Sequence, residues 1–426
     1  MRIMVIGGGG REHAIIKKLK QSPKVDIIYA LPGNGGIAHD AVCTGIGASD
    51  IPAIVGFARS NAIDFAVVAP DDPLVLGAVD ELEKVGVPCF GPSKAAAIIE
   101  GSKVFSKNLM KKYSIPTAGY EVFTDATTAL DYLETAPIPT VIKADGLALG
   151  KGVIIAMTRD EAKSAVRSMM EDKVFGESGS QVVVEEFLEG PEVSVLSFTD
   201  GKTVVPMVSS MDHKRAHDND EGLNTGGMGT IAPNPYYTDE IAAECMEKIF
   251  IPTMNAMNAE NRSFKGCLYF GLMLTKQGPK VIEYNCRFGD PETQVVLPLL
   301  ESDLVDIMFA TRNGTLNETE VKFSSGAACC VIMASEGYPE KYEKGFEITL
   351  PSDSADSEIY VAGATLENGK LLTNGGRVLG VTAKAEDLTS AIDKAYEAVK
   401  LVHLENAFYR TDIGQKALKA FVKEVR

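Results

Sequence analysis

The sequence predicts a mixed α/β and α+β protein of several domains, beginning with a parallel α/β domain and ending in a small α+β domain. Its 426 residues are enough for roughly three domains of about 150 residues each. In residues 1 to about 100, strand patterns alternate with helix patterns, which implies a parallel sheet covered by helices. Further along, longer strand patterns (Glu192–Thr199, Thr203–Ser209, Leu268–Thr275) point to antiparallel pairing.

Taken in order, the first strands are Arg2–Ile6, Asp26–Ala30, Phe65–Ala69 and Pro88–Phe90. The helices between them are Arg11–Lys20, Ile51–Asn61 and Pro73–Val85. Ligands of such sheets bind at the carboxyl ends of the strands. A helix over Lys103–Tyr113 then stops before Ile115-Pro116. Strands Thr140–Lys143 and Gly152–Ala156 flank a glycine-rich turn, followed by a helix (Arg159–Glu171) and a strand (Gln181–Glu186). A helix spans Asp239 to about Ala259, and Pro252 is expected to kink or split it. The last part has strands Ala327–Ala334, Ile359–Ala364, Lys370–Leu372 and Val378–Ala383, with a turn at Glu367-Asn368-Gly369 and a helix over Glu386–Val402. The expected boundaries are 1–102, 103–190, 191–325 and 326–426.

Hydrophobic residues make up 45% and charged residues 23%, the balance of a soluble globular protein. The 58 acidic against 42 basic residues give a net charge of −16. With no Lys/Arg block, neither nucleic acid nor an anionic membrane is an expected partner. The seven cysteines are odd in number and form no Cys-x-x-Cys, as in a cytoplasmic protein with reduced, buried thiols. Met1–Gly7 reads as a strand rather than a signal peptide. Apolar stretches such as Ala327–Ala334 are too short to span a bilayer.

The densest chemistry lies in Val281–Gln294. Glu283 and Asn285 are two apart on a strand, so they share one face. Both offer hard oxygens suited to Mg²⁺, and Arg287, Asp290 and Glu292 follow. The segment reads as a metal–phosphate site rather than an ordinary polar strand end. Gly7-Gly8-Gly9-Gly10-Arg11 lies between the first strand and the first helix, where free N–H groups cradle phosphate. A dinucleotide fold is disfavoured. The third glycine of Gly-x-Gly-x-x-Gly would fall at Glu12 or His13, and the second strand ends in Tyr29-Ala30-Leu31-Pro32 without an acid. A smaller phosphate held with Arg11 is the expectation, and an unliganded turn is the alternative.

Lys143–Gly152 is not a P-loop, because Gly146 and Gly150 are too close and Gly152 replaces Ser/Thr. With Lys143 and Lys151 near its ends, it reads as a hairpin able to close over nucleotide phosphates, or else as a solvated surface hairpin. Glu185, Glu186, Leu188 and Glu192 lie where one strand turns into the next, and carboxylates there suit a ribose and backbone groups an adenine. Asp212-His213-Lys214-Arg215 and Asn224–Gly229 bracket an acidic stretch and read as a substrate loop with an anion-binding nest. His213 and His217 have no third partner for zinc.

Together these elements resemble one family. Gly9-Gly10-Arg11-Glu12-His13, Gly101-Ser102-Lys103, Val141–Ala148, Glu185–Gly190, Asp212–Arg215, Asn224–Gly229, Glu283–Gln294 and Thr373–Val378 occur in the order of phosphoribosylamine–glycine ligases, ATP-grasp enzymes of purine synthesis. The resemblance covers the whole chain. It implies an ATP-grasp fold with an amino-terminal phosphoribosylamine-binding domain, a lid, a central body and a carboxyl-terminal domain. It also implies ligation of glycine to 5-phosphoribosylamine, with ATP and Mg²⁺ or Mn²⁺, by a cytoplasmic monomer of the stand-alone form. The metal would sit on Glu283 and Asn285. ATP would be met by Lys103, Lys143, Lys151, Glu185, Glu186, Leu188 and Glu192, the phosphate of the ribosylamine by Gly8, Gly9, Gly10 and Arg11, and its ribose by Asp290. Lys143, Arg287, Asp212 and Lys214 would serve the chemistry. The chain departs from the family at Pro70-Asp71-Asp72-Pro73, usually Pro-Glu-Ala-Pro. It also lacks a carboxylate on strand Leu268–Met273, where many ATP-grasp enzymes place a metal ligand.

Overall fold

The computed structural model describes residues 1–147, 152–351 and 357–424. Residues 2–90 form a parallel sheet in the order β3-β2-β1-β4-β5, from β1 (Arg2–Gly7), β2 (Ile27–Pro32), β3 (Val42–Cys43), β4 (Phe65–Val68) and β5 (Cys89–Phe90). Helices α1 (Gly10–Leu19) and α2 (Ile51–Ser60) link them. The Pro73–Val85 pattern forms two helices, α3 (Asp71–Leu76) and α4 (Ala78–Lys84), because Gly77 turns left-handed at φ 97. This change of direction was unreadable in a continuous apolar period. Then come α5 (Lys94–Gly101) and α6 (Lys103–Lys112), the latter capped by Ser102 accepting from the Phe105 N–H.

The lid part is an antiparallel sheet, β6-β9-β7-β8, from β6 (Tyr120–Phe123), β7 (Thr140–Ala144), β8 (Val153–Ala156) and β9 (Val182–Glu186). It is backed by α7 (Ala126–Leu133) and α8 (Arg159–Val166). Ile142, Ala156, Val184 and Leu133 share a core of their own.

A second antiparallel sheet, β11-β10-β16-β17, faces it, with β10 (Glu192–Asp200) and β11 (Val204–Pro206). Between these and the later strands the chain crosses to the carboxyl-terminal unit. Here β12 (Met211–Asp212), a ribbon of β13 (Arg215–His217) and β14 (Glu221–Asn224), and β15 (Gly229–Ala232) replace the irregular loop expected. Such short strands carry no alternation to read. Pairing of β15 with a later strand creates β15 and β12, while β13 and β14 pair only with each other. Next are α9 (Asp239–Cys245) and α10 (Ile251–Ala259). Backbone angles stay helical between them, through a π turn over Met246–Phe250. Pro252 therefore interrupts the α-helical bonding without ending the helix. Strands β16 (Lys265–Thr275) and β17 (Gly278–Asn285) complete the sheet, and α11 (Thr293–Leu299) and α12 (Leu304–Asn313) follow.

The last unit is built on β18 (Ala327–Ser335), buried along its whole length. The other elements are β19 (Ile348–Thr349), β20 (Ser357–Val361), β21 (Ala364–Glu367), β22 (Lys370–Thr373), β23 (Arg377–Ala385), α13 (Leu388–Val399), β24 (His403–Leu404) and β25 (Ala407–Phe408). The Ile359–Ala364 pattern is interrupted, ending one strand and starting the next. The main sheet runs β12-β15-β18-β23-β20, so it borrows two strands from the crossing segment. Asn368 and Gly369, both at positive φ, make the β21–β22 turn.

Alternating faces knit these units together. Met4 and Ile6 enter one core with Val193, Val195, Phe270 and Tyr284. Ile3 and Val5 enter another with Phe198, Tyr269, Phe288 and Ile332. No described helix is long and apolar enough to cross a membrane.

His213 is buried where β12 meets the end of the chain. Its Nδ1 lies 3.2 Å from the Gly229 carbonyl, and its Nε2 accepts from the Gly414 N–H at 3.1 Å. Burial, reinforced by Arg410, pushes the imidazole from 6.5 down to about 4. Below its unfolded pKa the unfolded chain takes up the proton and the native one does not, so stability falls as pH drops from about 6.5 to 4. The full loss should be on the order of 3 kcal/mol. Urea unfolding across that window should show a flatter pH slope in His213→Gln. An identical slope in the variant would remove His213 as the cause.

Candidate active site

At the carboxyl half of β7, Lys143 points into the cleft between the two antiparallel sheets. Its Nζ donates to the Ile282 carbonyl at 3.0 Å and lies 3.1 Å from Glu185 Oε1. The other Glu185 oxygen lies 2.9 Å from Lys107 Nζ, which also donates to Thr117 Oγ1. All three charged side chains are at most 5% exposed. Burial pulls the Lys107 ammonium down to about 8, with Glu185 opposing the fall. Glu185 thus anchors two lysines instead of facing outward to a ribose. Glu186 is exposed, accepts from the Gly119 N–H, and lies 3.5 Å from Lys280. Leu188 is half-buried at the turn that follows.

Across the cleft, Glu283 and Asn285 share one face of β17. Gly271 stands opposite Glu283, and a Cβ there would meet the glutamate Cγ at 3.1 Å. The strand without a carboxylate therefore makes room for the one opposite. Burial alone would raise the Glu283 pKa, but Lys214, Lys143, Lys103 and Arg287 outweigh it and hold the carboxyl below its ordinary value. Lys103 Nζ donates to the Gly146 carbonyl at 2.6 Å. Burial lowers its pKa, with Glu283 opposing. Arg287 lies 3.0 Å from Glu100 and 3.8 Å from Asp71. The first of the two departing carboxylates in Pro70–Pro73 thus faces an arginine. Lys151 lies outside the described residues. Among the described residues no group of three or more His, Cys, Asp or Glu side chains could hold a metal. An ionised glutamate beside an amide oxygen nevertheless fits a Mg²⁺-type ion that takes its other oxygens from phosphates and water.

The amino-terminal turn meets the same segment from the other side. Gly8 has no room for a side chain, since a Cβ would lie 2.4 Å from the Gly33 carbonyl oxygen. The Gly9 N–H donates to Glu12 at 2.6 Å, so one donor of the turn is already satisfied. Arg11 pairs with Glu12 at 2.8 Å and donates to the Phe288 carbonyl at 3.0 Å. Burial opposes ionisation of Asp290, yet Arg377 and Arg11 hold its carboxyl below the usual range, and Gln294 donates to it at 2.8 Å.

On the crossing segment, Lys214 lies 3.1 Å from Glu192. That carboxylate is the main reason its pKa is raised. Burial and then Glu292 push the Asp212 carboxyl up, and Asp212 Oδ1 is buried without a partner. Gly227, at φ 115, leaves space for it. Glu292 accepts from Ser194 and Tyr269.

Sequence reasoning did not single out Lys107 or Glu100. Lys107 carried a readable signal, a lysine on the buried face of α6 beside Ser106 and Met110. Glu100 ends an apolar helix, and nothing local indicates that its partner is Arg287. Arg377 stood within a quoted motif without a role. Its guanidinium donates to the carbonyls of Gly226, Gly227 and Asp290.

Two antiparallel sheets closing on a lysine-lined cleft, with a hard-ligand pair on the floor strand, define an ATP-grasp protein. Three family models match the chain in succession: the phosphoribosylglycinamide synthetase N domain (residues 1–100), its ATP-grasp (A) domain (101–293) and its C domain (328–416). The phosphoribosylamine–glycine ligase of Caldanaerobacter subterraneus subsp. tengcongensis is 48% identical over 414 residues, covering 97% of this chain and 99% of the relative. The crystal structure of the Thermotoga maritima phosphoribosylamine–glycine ligase superposes with a TM-score of 0.86 at 35% identity, covering 97% of this chain and all of that one. A biotin carboxylase from Campylobacter jejuni, 14% identical with a TM-score of 0.74, shares the fold over 96% of this chain and 92% of its own. The chain belongs to the phosphoribosylglycinamide synthetase family.

Glu283→Gln keeps the shape and removes the charge that Lys214, Lys143, Lys103 and Arg287 surround. Turnover should fall by an amount equivalent to several kcal/mol of transition-state stabilisation, with the fold intact by circular dichroism. Near-normal turnover at saturating Mg²⁺ would exclude Glu283 from the site.

Proposed function

We propose that the chain catalyses ATP-dependent ligation of glycine to 5-phosphoribosylamine through a glycyl phosphate, using the cleft between Lys143 and Glu283. The products are glycinamide ribonucleotide, ADP and phosphate. The observation that carries the reading is the convergence of Lys103, Lys143, Lys214 and Arg287 on one partly buried, ionised carboxylate, Glu283, beside a turn that holds Arg11 against Phe288.

A carboxylate is already a nucleophile at neutral pH. Its obstacle is meeting an equally anionic γ-phosphate. Lys143 and Arg287 lower that repulsion and stabilise the charge spread over the transferring phosphoryl group. Mg²⁺ or Mn²⁺, held by Glu283 and Asn285, supplies further neutralisation at the phosphates when bound. A glycine oxygen attacks the γ-phosphorus as the bond to ADP breaks. The ribosylamine nitrogen then attacks the acyl carbon, its proton is lost, and the C–O bond breaks to release phosphate. The lid part has a core separate from the body's, which suits movement as a unit to exclude water from the acyl phosphate. Lys103 and Lys107 complete the nucleotide side, while Glu192 and Lys214 link it to Asp212. Gly8, Gly9, Gly10 and Arg11 take the phosphate of the ribosylamine, and Asp290 its ribose. The reading takes the enzyme as a monomer. Its substrates are small and soluble, which suits the cytoplasm. Sedimentation of an obligate oligomer would overturn the monomer.

Arg11→Ala should raise the KM for phosphoribosylamine and leave that for ATP nearly unchanged. A lost charge-assisted contact is worth about 1.5–3 kcal/mol. A selective rise in the KM for ATP would contradict the assignment of the amino-terminal turn.

Connectivity supplies the decisive test. Glycine labelled with ¹⁸O at both carboxylate oxygens should give singly labelled phosphate and an amide retaining one label, as read by mass spectrometry. Unlabelled phosphate would rule out the acyl phosphate.

A further inference from the structure

Arg410 is the largest fully buried side chain among the described residues, at 2% exposure, and it takes no part in the chemistry above. Its Nε and Nη2 form a fork onto both oxygens of Asp412, each at 2.8 Å. Its Nη1 donates to the Arg215 carbonyl and to Asp220, both at 3.1 Å. The planar guanidinium is thereby nearly saturated, as a buried cation must be. Arg215 and Asp220 belong to the β13–β14 ribbon, directly after Lys214.

The contacts continue along both segments. Asp412 accepts from the Asn219 N–H at 2.9 Å. Asp218 accepts from the Thr411 N–H at 2.8 Å and from the Thr411 hydroxyl. These bonds fix a turn in which Asn219 and Asp220 both have positive φ, near 60°, a conformation that needs outside support. His213 joins Gly229 to Gly414, closing the base of the ribbon. The 410–414 segment is itself anchored to α13. The Tyr396 hydroxyl donates to the Arg410 carbonyl at 2.7 Å and accepts from the Ile413 N–H at 2.9 Å.

We propose that Arg410, with Asp412 and Asp218, forms a latch by which residues 410–414 hold the β13–β14 ribbon and so position Asp212 and Lys214 for acyl transfer. The inference rests on the reading of Asp212 and Lys214 as groups of the glycine-activating cleft. Lys214 is the joint between the two. Its side chain meets Glu192, while its carbonyl accepts from the Thr225 N–H and hydroxyl at 2.7 and 2.9 Å across the ribbon base. A ribbon released at its far end would swing about that base. Arg410, which touches no substrate, is thus a positioning residue.

Steady-state kinetics with ATP, glycine and phosphoribosylamine on Arg410→Lys, Asp218→Ala and Lys214→Ala test this. Arg410→Lys keeps the charge and loses the fork, and Asp218→Ala removes only an exposed contact and spares the fold. Arg410→Lys should lower kcat/KM for glycine about tenfold, the scale of a small misplacement of reacting groups. The KM for ATP should be unchanged, and Asp218→Ala should act in the same direction but less. Amide hydrogen exchange over residues 215–224 should quicken in both. The latch is overturned if these two variants leave the glycine constants intact while Lys214→Ala lowers them. It is also overturned if ATP and glycine constants fall together with a lowered unfolding midpoint, as a merely structural role would give. If Lys214→Ala itself spares the glycine constants, the reading of the loop fails, and the latch's purpose with it.

Discussion

The constraint on which this architecture depends is the gathering of several cations, two of them fully buried, in one cleft of a chain whose net charge is −16. An ammonium removed from water must be paired, and breaking a fully buried pair such as those of Lys107 and Lys143 with Glu185 costs about 3–5 kcal/mol, whereas the more exposed Lys214–Glu192 pair is worth far less. Each cation here has an assigned acceptor. Lys107 and Lys143 share Glu185, Lys214 has Glu192, Arg287 has Glu100, and Lys103 has the Gly146 carbonyl. Those acceptors come from the lid sheet, from the floor sheet and from helix α5. Assembly of the cleft therefore requires every part of the ATP-grasp body to be docked.

The hydrophobic cores divide the molecule differently from its sheets. The two faces of the amino-terminal sheet feed two cores, each shared with the floor sheet, so these parts behave as one block. The carboxyl-terminal unit keeps a core of its own but is tied in by directional contacts. Asn34 donates to the carbonyls of both Gly8 and Val361, and the Val361 N–H donates to His13. β18 adds a packing tie, sending Ala328, Cys330 and Ile332 into a core of the main block while Val331 and Met333 face its own unit. The lid shares none of these cores. That gives closure over a nucleotide a physical basis, since a unit with a separate core can rotate without breaking another.

Much of this was legible in the sequence because local chemistry carried it. The strand–helix alternation of residues 1–100 foretold a parallel sheet, and the two-residue spacing of Glu283 and Asn285 foretold a shared face. The order of motifs foretold the family. What escaped had non-local causes. Gly77 breaks a helix by a backbone angle that apolar periodicity does not encode. Strand β15 exists because β18 offers it an edge, and β12 because β15 does in turn. Glu185, read as a ribose acceptor from its place at a strand end, is committed to two lysines, one of them on a helix that the strand pattern does not reveal. Arg410 looks like any arginine near a carboxyl terminus until Asp220 and the Arg215 carbonyl arrive from the middle of the chain.

The same pairing gives a physical reason for the metal in the proposed reaction. Lys214 and Arg287 already have carboxylates within 3.1 Å, and Lys143 shares one with Lys107. A triphosphate entering this cleft meets cations that are largely neutralised, and only Lys103 relies on a carbonyl instead of a carboxylate. Stripping Arg287 of Glu100 to meet the phosphates would leave that glutamate buried without its cation, which is costly. A divalent ion on Glu283 and Asn285 changes the balance without breaking a pair. Glu283 is surrounded by cations yet has no bonded partner of its own among the described contacts, so its carboxylate is free to take one. The paired lysines then orient the phosphates, and the charge that neutralises them enters with the nucleotide. On this account the apo protein can keep its cleft assembled and buried, and it becomes strongly attractive to ATP when metal and nucleotide arrive together.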